Sequence, residues 1–157
     1  MKQISSNFKH SLALSFNGSV YSFGEGTSGQ LGQNNLLTLL YPQLIPGLYN
    51  ISMISTGLGF SVVLRNDNIL FSFGQNTYGQ LGIGSLVPKK TPTQVSFFPY
   101  QNISQITTGE SFSLLLLQNN SAYSWGLNDV FLYFFKTRMV NFVLEIQQIK
   151  IYQLSFH

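Results

Sequence analysis

The sequence contains no cysteine and few charged residues. The absence of cysteine excludes disulfides, thiolate metal sites and a cysteine nucleophile. Charged residues make up 8% of the chain, against about 25% in typical soluble domains. The eight Lys and Arg residues are scattered, apart from Lys89-Lys90. Because a nucleic-acid-binding protein presents a clustered basic face, we predict no nucleic-acid partner.

Long apolar runs are also missing. A transmembrane helix needs about 18 or more consecutive apolar residues, whereas the longest run, Val130 to Phe135, ends at Lys136. We therefore predict no membrane insertion. The opening "MKQISSNFKH" lacks the apolar core of a signal peptide, which favours an intracellular location, cytoplasmic or nuclear. The chain is nevertheless 44% hydrophobic and 15% aromatic, a composition that suits β-strands.

The sequence repeats itself with a period of about 50 residues. Residues 11–32, "SLALSFNGSVYSFGEGTSGQLG", align with residues 61–82, "SVVLRNDNILFSFGQNTYGQLG". Gly24 then falls on Gly74, an offset of 50 residues. A third copy, "ITTGESFSLLLLQNNSAYSWG", places Gly126 on Gly74 at an offset of 52. Internal repeats of this length are typical of propellers and solenoids.

Three glycines of the first copy, Gly24, Gly26 and Gly29, are spaced as in a dinucleotide-binding turn. The first and third recur in the second copy, but Gly26 is replaced by Asn76. A pyrophosphate loop needs the middle glycine for close approach, whereas Asn, like Gly, tolerates a positive φ. We therefore predict a tight turn with a left-handed residue at this position, and no cofactor.

Each copy is predicted to form short strands separated by turns. Apolar runs at 51–55 and 103–107 precede pairs of strands, and weaker runs, "PQLI" and "PTQV", follow. The residues between paired strands accept positive φ and favour hairpins; they are Asn17-Gly18, Asp67-Asn68 and Asn119-Asn120. Four antiparallel strands repeated at this period indicate the blades of a β-propeller.

The predicted fold is therefore all-β, a partial β-propeller of about three four-stranded antiparallel blades. The units span about residues 1–50, 51–102 and, incompletely, 103–126, and a divergent tail occupies 127–157. In the tail, residues 139–149 have the apolar spacing of a helix, but a strand over Ile149 to Leu154 fits nearly as well.

The first copy contains His10-Ser11 and Leu14, Phe23-Gly24, and the turn Gly29-Gln30-Leu31-Gly32, which recurs at 79–82. In this pattern the chain resembles the regulator of chromosome condensation repeat family over residues 1 to about 129. The resemblance implies a seven-bladed ring, which needs on the order of 350 residues. Three units would leave blade faces and strand edges uncovered, so we expect self-association. Leu31 and Leu81 are expected to be buried.

Residues suited to catalysis are few. His10 is replaced by Phe60 and Phe112 in the other copies, which indicates a packing position. The five acidic residues have no metal-ligand spacing, and the G-x-S-x-G and phosphate-loop patterns are absent. We predict no catalytic, cofactor-binding or metal-binding residues and no enzymatic activity. Glu25 and Glu110 are predicted in turns, where they could face a partner.

Other candidates for binding are aromatic and basic residues between the strands. Exposed tyrosine is a common interface anchor, but packing beneath the loops is the favoured interpretation for Tyr41, Tyr78 and Tyr100. Lys89-Lys90 is expected in a solvated loop, and Trp125 in the blade core.

The leading functional hypothesis is a non-catalytic protein-interaction scaffold made of propeller repeats, and we expect the chain to be a fragment of a longer protein. The resemblance implies two alternatives. One is a guanine nucleotide exchange factor, or a fragment of one, for a small Ran-like GTPase. The other is a substrate-binding propeller piece of a HECT-type ubiquitin ligase. All three predict a protein partner.

Overall fold

The computed structural model describes residues 1–95, 102–127 and, for the backbone alone, 151–153. These residues form twelve β-strands and no helix. The predicted all-β class is therefore confirmed. The predicted helix over 139–149 lies outside the described residues, whereas the alternative strand is present at Ile151–Gln153.

The strands form three four-stranded sheets, each with its strands in chain order. Blade 1 contains β1 (Gln3–Asn7), β2 (His10–Leu14), β3 (Val20–Gly24) and β4 (Leu39–Leu44). Blade 2 contains β5 (Ile51–Thr56), β6 (Phe60–Arg65), β7 (Leu70–Gly74) and β8 (Lys89–Gln94). Blade 3 contains β9 (Ile103–Thr108), β10 (Phe112–Leu117), β11 (Ala122–Gly126) and β12 (Ile151–Gln153). The unit boundaries near residues 50 and 102 stay a prediction.

Neighbouring strands are antiparallel throughout blades 1 and 2. Blade 3 differs at its outer strand, because β12 pairs parallel to β11, with Tyr152 opposite Tyr123. The prediction of four antiparallel strands is therefore wrong for this strand. The reason is that β12 comes from the tail, beyond the repeated sequence, and reaches β11 in the opposite direction from β4 and β8.

The predicted hairpin turns occur in all three blades. The backbone N–H of Gly18 donates to the carbonyl of Ser15 at 3.1 Å, and Asn68 donates to Arg65 at 3.0 Å. Asn120 closes the third turn in the same way. Gly18, Asn68 and Asn120 have φ values of 82°, 65° and 66°, the left-handed conformation that Gly and Asn tolerate best.

The hydrophobic core lies between the blades. The first strands of the three blades, β1, β5 and β9, lie side by side, and the sheets to which they belong stack face to face. One buried cluster joins blade 1 to blade 2; it includes Leu12, Leu14, Val20, Ile54, Val63 and Phe73. The other joins blade 2 to blade 3; it includes Phe60, Val62, Leu81, Ile106, Leu115 and Trp125. Trp125 is fully buried, as predicted.

Candidate interaction surface

The Gly-Gln-Leu-Gly turns connect each blade to the next. The carbonyl oxygen of Gln30 in blade 1 accepts a hydrogen bond from Ser61 Oγ of blade 2 at 2.9 Å. The carbonyl of Gln80 accepts one from Ser113 Oγ of blade 3 at 2.9 Å, and another from Trp125 Nε1 at 2.9 Å. Because these groups are buried, each turn is fixed to the neighbouring sheet and is withheld from solvent.

The leucines of these turns are buried, as predicted. Leu31 is 1% exposed and Leu81 is 0% exposed. Their backbone carbonyls accept hydrogen bonds from Ser22 Oγ at 2.8 Å and Ser72 Oγ at 2.7 Å, respectively. The four flanking glycines have φ values from 64° to 84°; they are Gly29, Gly32, Gly79 and Gly82. The predicted turn geometry is therefore confirmed.

The prediction for position 26 is wrong. Neither Gly26 nor Asn76 has a positive φ, so backbone handedness does not explain the exchange. A Cβ on Gly26 would lie 1.9 Å from the carbonyl oxygen of Leu37, so this position requires glycine because the loop backbone approaches it closely.

In blade 2 the Asn76 side chain spans the corresponding space. Its Nδ2 donates to the carbonyls of Ser85 at 2.6 Å and Val87 at 3.1 Å, while its Oδ1 accepts from the backbone N–H of Leu81 at 3.0 Å. The two blades thus close the same loop by different means. The lack of a nucleotide cofactor stays a prediction.

His10 is buried at the junction of blades 1 and 2. Its Nε2 lies 2.9 Å from Ser61 Oγ. Since the Ser61 hydroxyl donates to Gln30, it accepts from the Nε2–H of a neutral imidazole. Burial lowers the pKa of His10 from 6.5 to about 4, against a smaller opposing effect of the Glu25 carboxylate. The side chain is buried as predicted, and it also carries a hydrogen bond between blades.

Two ion pairs form between charged side chains of the described residues. Lys9 Nζ lies 3.7 Å from Glu25. Arg65 binds Asp67 at 2.9 Å, and the hydrogen bond lowers the pKa of the Asp67 carboxyl. Among the residues that the structure describes, no group of three or more His, Asp or Glu side chains is placed to hold a metal ion.

Exposed apolar residues lie in the loops before the outer strands β4 and β8. Leu36 and Leu37 are 45% and 65% exposed, and the residues at the same positions of blade 2, Leu86 and Val87, are 54% and 58% exposed. We call these four residues the loop pairs. They are apolar in both copies of the repeat, yet they do not belong to either buried cluster.

The outer strand of blade 1 is also exposed and apolar. Leu40, Tyr41 and Leu44 are 84%, 77% and 51% exposed; these three residues are the β4 patch. The favoured interpretation of Tyr41 as packed beneath a loop is therefore wrong, because β4 is the outermost strand of its sheet within the described part of the chain. The same interpretation is wrong for Tyr78, which is 49% exposed. Tyr100 lies outside the described residues.

Blade 2 has polar residues at the positions of the β4 patch. At an offset of 50, Lys90, Thr91 and Gln94 replace Leu40, Tyr41 and Leu44. Lys89 and Lys90 begin β8, so the predicted solvated loop is wrong, since the repeat continues the sheet through them. Comparing the two copies position by position would have revealed the β4 patch from the sequence.

Two sequence profiles of the regulator of chromosome condensation (RCC1) repeat family match the chain. One matches residues 17–64 and 67–116, and the other matches residues 1–30, 51–80 and 103–130. Together with the three stacked sheets, these matches decide the family. The chain belongs to the RCC1 repeat family.

Curated RCC1-type relatives are much longer than this chain. It is 31% identical over 128 residues to the ultraviolet-B receptor UVR8 of Arabidopsis thaliana, covering 80% of this chain and 29% of the relative. It is 29% identical over 135 residues to the human E3 ubiquitin-protein ligase HERC2, covering 83% of this chain and 3% of the relative. The chain thus spans less than a third of either protein.

Solved structures share the fold. The chain matches Prp20p of Saccharomyces cerevisiae with a TM-score of 0.73 at 31% identity, covering 82% of this chain and 31% of that one. It matches human WBSCR16 with a TM-score of 0.72 at 25% identity, covering 79% of this chain and 32% of that one.

Within the described residues, no helix has the length and apolar character that a membrane span requires.

Proposed function

We propose that the chain is a non-catalytic protein-interaction module in which RCC1-type blades form a rigid frame. The backbone carbonyls of Gln30 and Gln80, in the Gly-Gln-Leu-Gly turns, fix one blade to the next. A rigid scaffold that presents loops is a common arrangement for binding sites. The surface available for function is therefore the exposed loops and the outer strands.

The loop pairs carry this proposal. A repeated apolar residue is usually explained by core packing, but Leu37 and Val87 are 65% and 58% exposed. Exposed apolar residues that recur at the same place in adjacent blades provide a binding surface for an apolar protein partner. Tyr78 is a further anchor, since it is half-exposed in the same loop as the second pair.

A photo-crosslinking residue at Val87 or Tyr78 tests the proposal. The partner captured there is purified and titrated with the full chain by calorimetry. We expect Leu37→Ser and Val87→Ser to weaken binding at least tenfold, while Thr91→Ser, on the outer strand of blade 2, leaves it unchanged. Binding that is insensitive to both loop-pair substitutions would contradict the proposal.

Exchange on a small GTPase is the second candidate. It is supported by the similarity to Prp20p, whose structure is described together with its binding to Gsp1p and histones. The discriminating experiment adds the chain to Gsp1p loaded with fluorescent GDP. Acceleration of GDP release would favour exchange activity, whereas an unchanged rate favours the scaffold.

A substrate-binding piece of a ubiquitin ligase is the third candidate. The similarity to HERC2 supports it. In this case the partner captured at the loop pairs should be ubiquitinated when the same blades are joined to a HECT domain, and Val87→Ser should reduce that modification.

A further inference from the structure

We propose that two copies of the chain associate through the β4 patch, Leu40, Tyr41 and Leu44. This contact goes beyond the proposed function, because it uses the outer strand of blade 1 rather than the loop pairs. Three observations lead to it: the position of the patch in its sheet, the residues at the equivalent strand, and the lack of charge around it.

The patch lies on the last strand of its sheet. Among the described residues β4 pairs with β3 alone, with Leu44 opposite Tyr21 and Leu39 opposite Gly24. Leu40 and Tyr41 are consecutive and so point to opposite faces of the strand. Because they are 84% and 77% exposed, both faces are open at this point. Contiguous exposed apolar surface of this kind is typical of protein contacts.

β8 provides the comparison within the same molecule. It pairs with β7 in the same register, with Gln94 opposite Phe71 and Lys89 opposite Gly74, and with an irregularity at the same place. The backbone is thus equivalent, and the sequence alone differs. Lysines on an edge strand oppose association with another chain, so β8 is protected where β4 is not.

The neutrality of the patch favours a second copy as its partner. In a two-fold contact the same patch lies on both sides, so a charged residue near the axis would approach its own copy. Residues 26–64 contain no charged side chain, so two β4 patches meet without repulsion from their own segment. The corresponding contact through β8 would bring Lys89 and Lys90 close to the lysines of the second copy.

The contact is expected to be made by side chains. Pro42 lies within β4 and has no N–H to donate, and proline interrupts the backbone hydrogen bonds of a continuous sheet. Leu40 and Tyr41 therefore provide the interface, and mutations that change their side chains are sufficient to test it.

The test transplants the outer strand of blade 2 into blade 1. The triple variant Leu39→Lys, Leu40→Lys, Tyr41→Thr gives blade 1 the residues that already occupy the same backbone at 89–91. At tens of micromolar, light scattering and sedimentation should give twice the chain mass for the original protein and the chain mass for the variant. Ile4→Lys changes an apolar side chain of blade 1 that is 68% exposed but lies outside the β4 patch. This variant is the matched control and should leave the dimer intact.

A crosslink tests the same contact without disturbing the strand. Because the chain has no cysteine, Tyr41→Cys and Thr91→Cys each introduce a unique thiol at equivalent positions. Mild oxidation should produce a disulfide-linked dimer from Tyr41→Cys and little from Thr91→Cys. A monomeric original protein, a dimer that survives the triple variant, a dimer lost in Ile4→Lys, or equal crosslinking at both positions would overturn the proposal.

Discussion

Blades 1 and 2 have the same strand order and the same hairpins, but different neighbours. Ile54 of blade 2 is 1% exposed, whereas Ile4, at the same position of blade 1, is 68% exposed. Phe73 is fully buried, and its equivalent Phe23 is half-buried. Blade 2 lies between two sheets, while within the described residues blade 1 is covered on one face only. The repeat thus determines the backbone, and the adjacent blade determines which side chains become core.

The polar contacts follow the same rule. Ser61 donates from blade 2 to the Gln30 carbonyl of blade 1. Its equivalent in blade 1, Ser11, donates instead to Ser6 Oγ within its own sheet at 2.9 Å. The serine at this position therefore forms a hydrogen bond between two blades where a Gly-Gln-Leu-Gly turn packs against it. Where no such turn packs against it, the hydrogen bond stays within its own blade.

The largest difference between the blades is expected at the paired phenylalanines. Phe73→Ala removes a fully buried ring and should lower the free energy of unfolding by about 3–5 kcal/mol. Phe23→Ala should cost less than half as much, because that ring is already partly in water in the folded protein. Urea denaturation of both variants measures the difference. Equal losses would mean that the exposed face of blade 1 is covered in solution.

The buried leucines should behave alike in both blades. Leu31→Ala and Leu81→Ala each remove a side chain that is at most 1% exposed, and each should cost about 2–5 kcal/mol. Thermal and urea unfolding give the values. An unchanged midpoint for either variant would show that its turn does not depend on the buried leucine.

Much of this fold could be predicted from the sequence because each copy of the repeat can be compared with the next. The hairpins at Asn17-Gly18 and Asp67-Asn68 and the burial of Leu31 and Leu81 follow from residues that recur at a fixed offset. These features depend on local turn chemistry and on the alternation of side chains along a strand. Both are encoded within a few residues of the position concerned.

The remaining features depend on contacts between distant residues. The need for glycine at position 26 arises from the Leu37 carbonyl, which only the loop path reveals. The hydrogen bond of His10 reaches Ser61 in the next blade, and the parallel pairing of β12 comes from the tail. The exposure of Tyr41 depends on the position of β4 at the edge of its sheet, which is set by the order of the strands and not by the residues around Tyr41.

Acid should affect the junction of blades 1 and 2 through His10. Its pKa is about 4 in the folded protein against 6.5 for the free side chain, so between these values the unfolded chain binds more protons. The free energy of unfolding therefore includes a contribution from neutral His10 that is complete above pH 6.5 and is lost as the pH falls toward 4. Its full size is on the order of 3 kcal/mol.

His10→Phe gives blade 1 the residue that blade 2 has at Phe60 and is the matched control. The Ser61 hydroxyl keeps its bond to Gln30 in this variant, so no buried donor loses its acceptor. Urea unfolding at intervals between pH 7 and pH 4 should show a loss for the original protein that is absent, or much smaller, in His10→Phe. Parallel pH profiles would contradict the assigned role of His10.

The smallest expected effect has the opposite sign and concerns the turns between the first two strands of each blade. In blade 1, Phe8 has a φ of 53° and is 75% exposed, whereas in blade 2 the left-handed residue is Gly59, with a φ of 72°. A left-handed conformation costs an L-residue about 1–2 kcal/mol, while glycine loses about 0.5–1 kcal/mol of backbone entropy. Phe8→Gly should therefore raise the free energy of unfolding by up to about 1 kcal/mol, since little buried surface is lost.

Leu58→Gly is the matched control, because Leu58 is at the equivalent position but has no positive φ. This substitution should lower the free energy of unfolding by at least about 0.5 kcal/mol. Lys9 Nζ lies 5.1 Å from the centre of the Phe8 ring. If both substitutions lower the unfolding midpoint, this contact stabilises the turn by more free energy than the left-handed backbone of Phe8 costs.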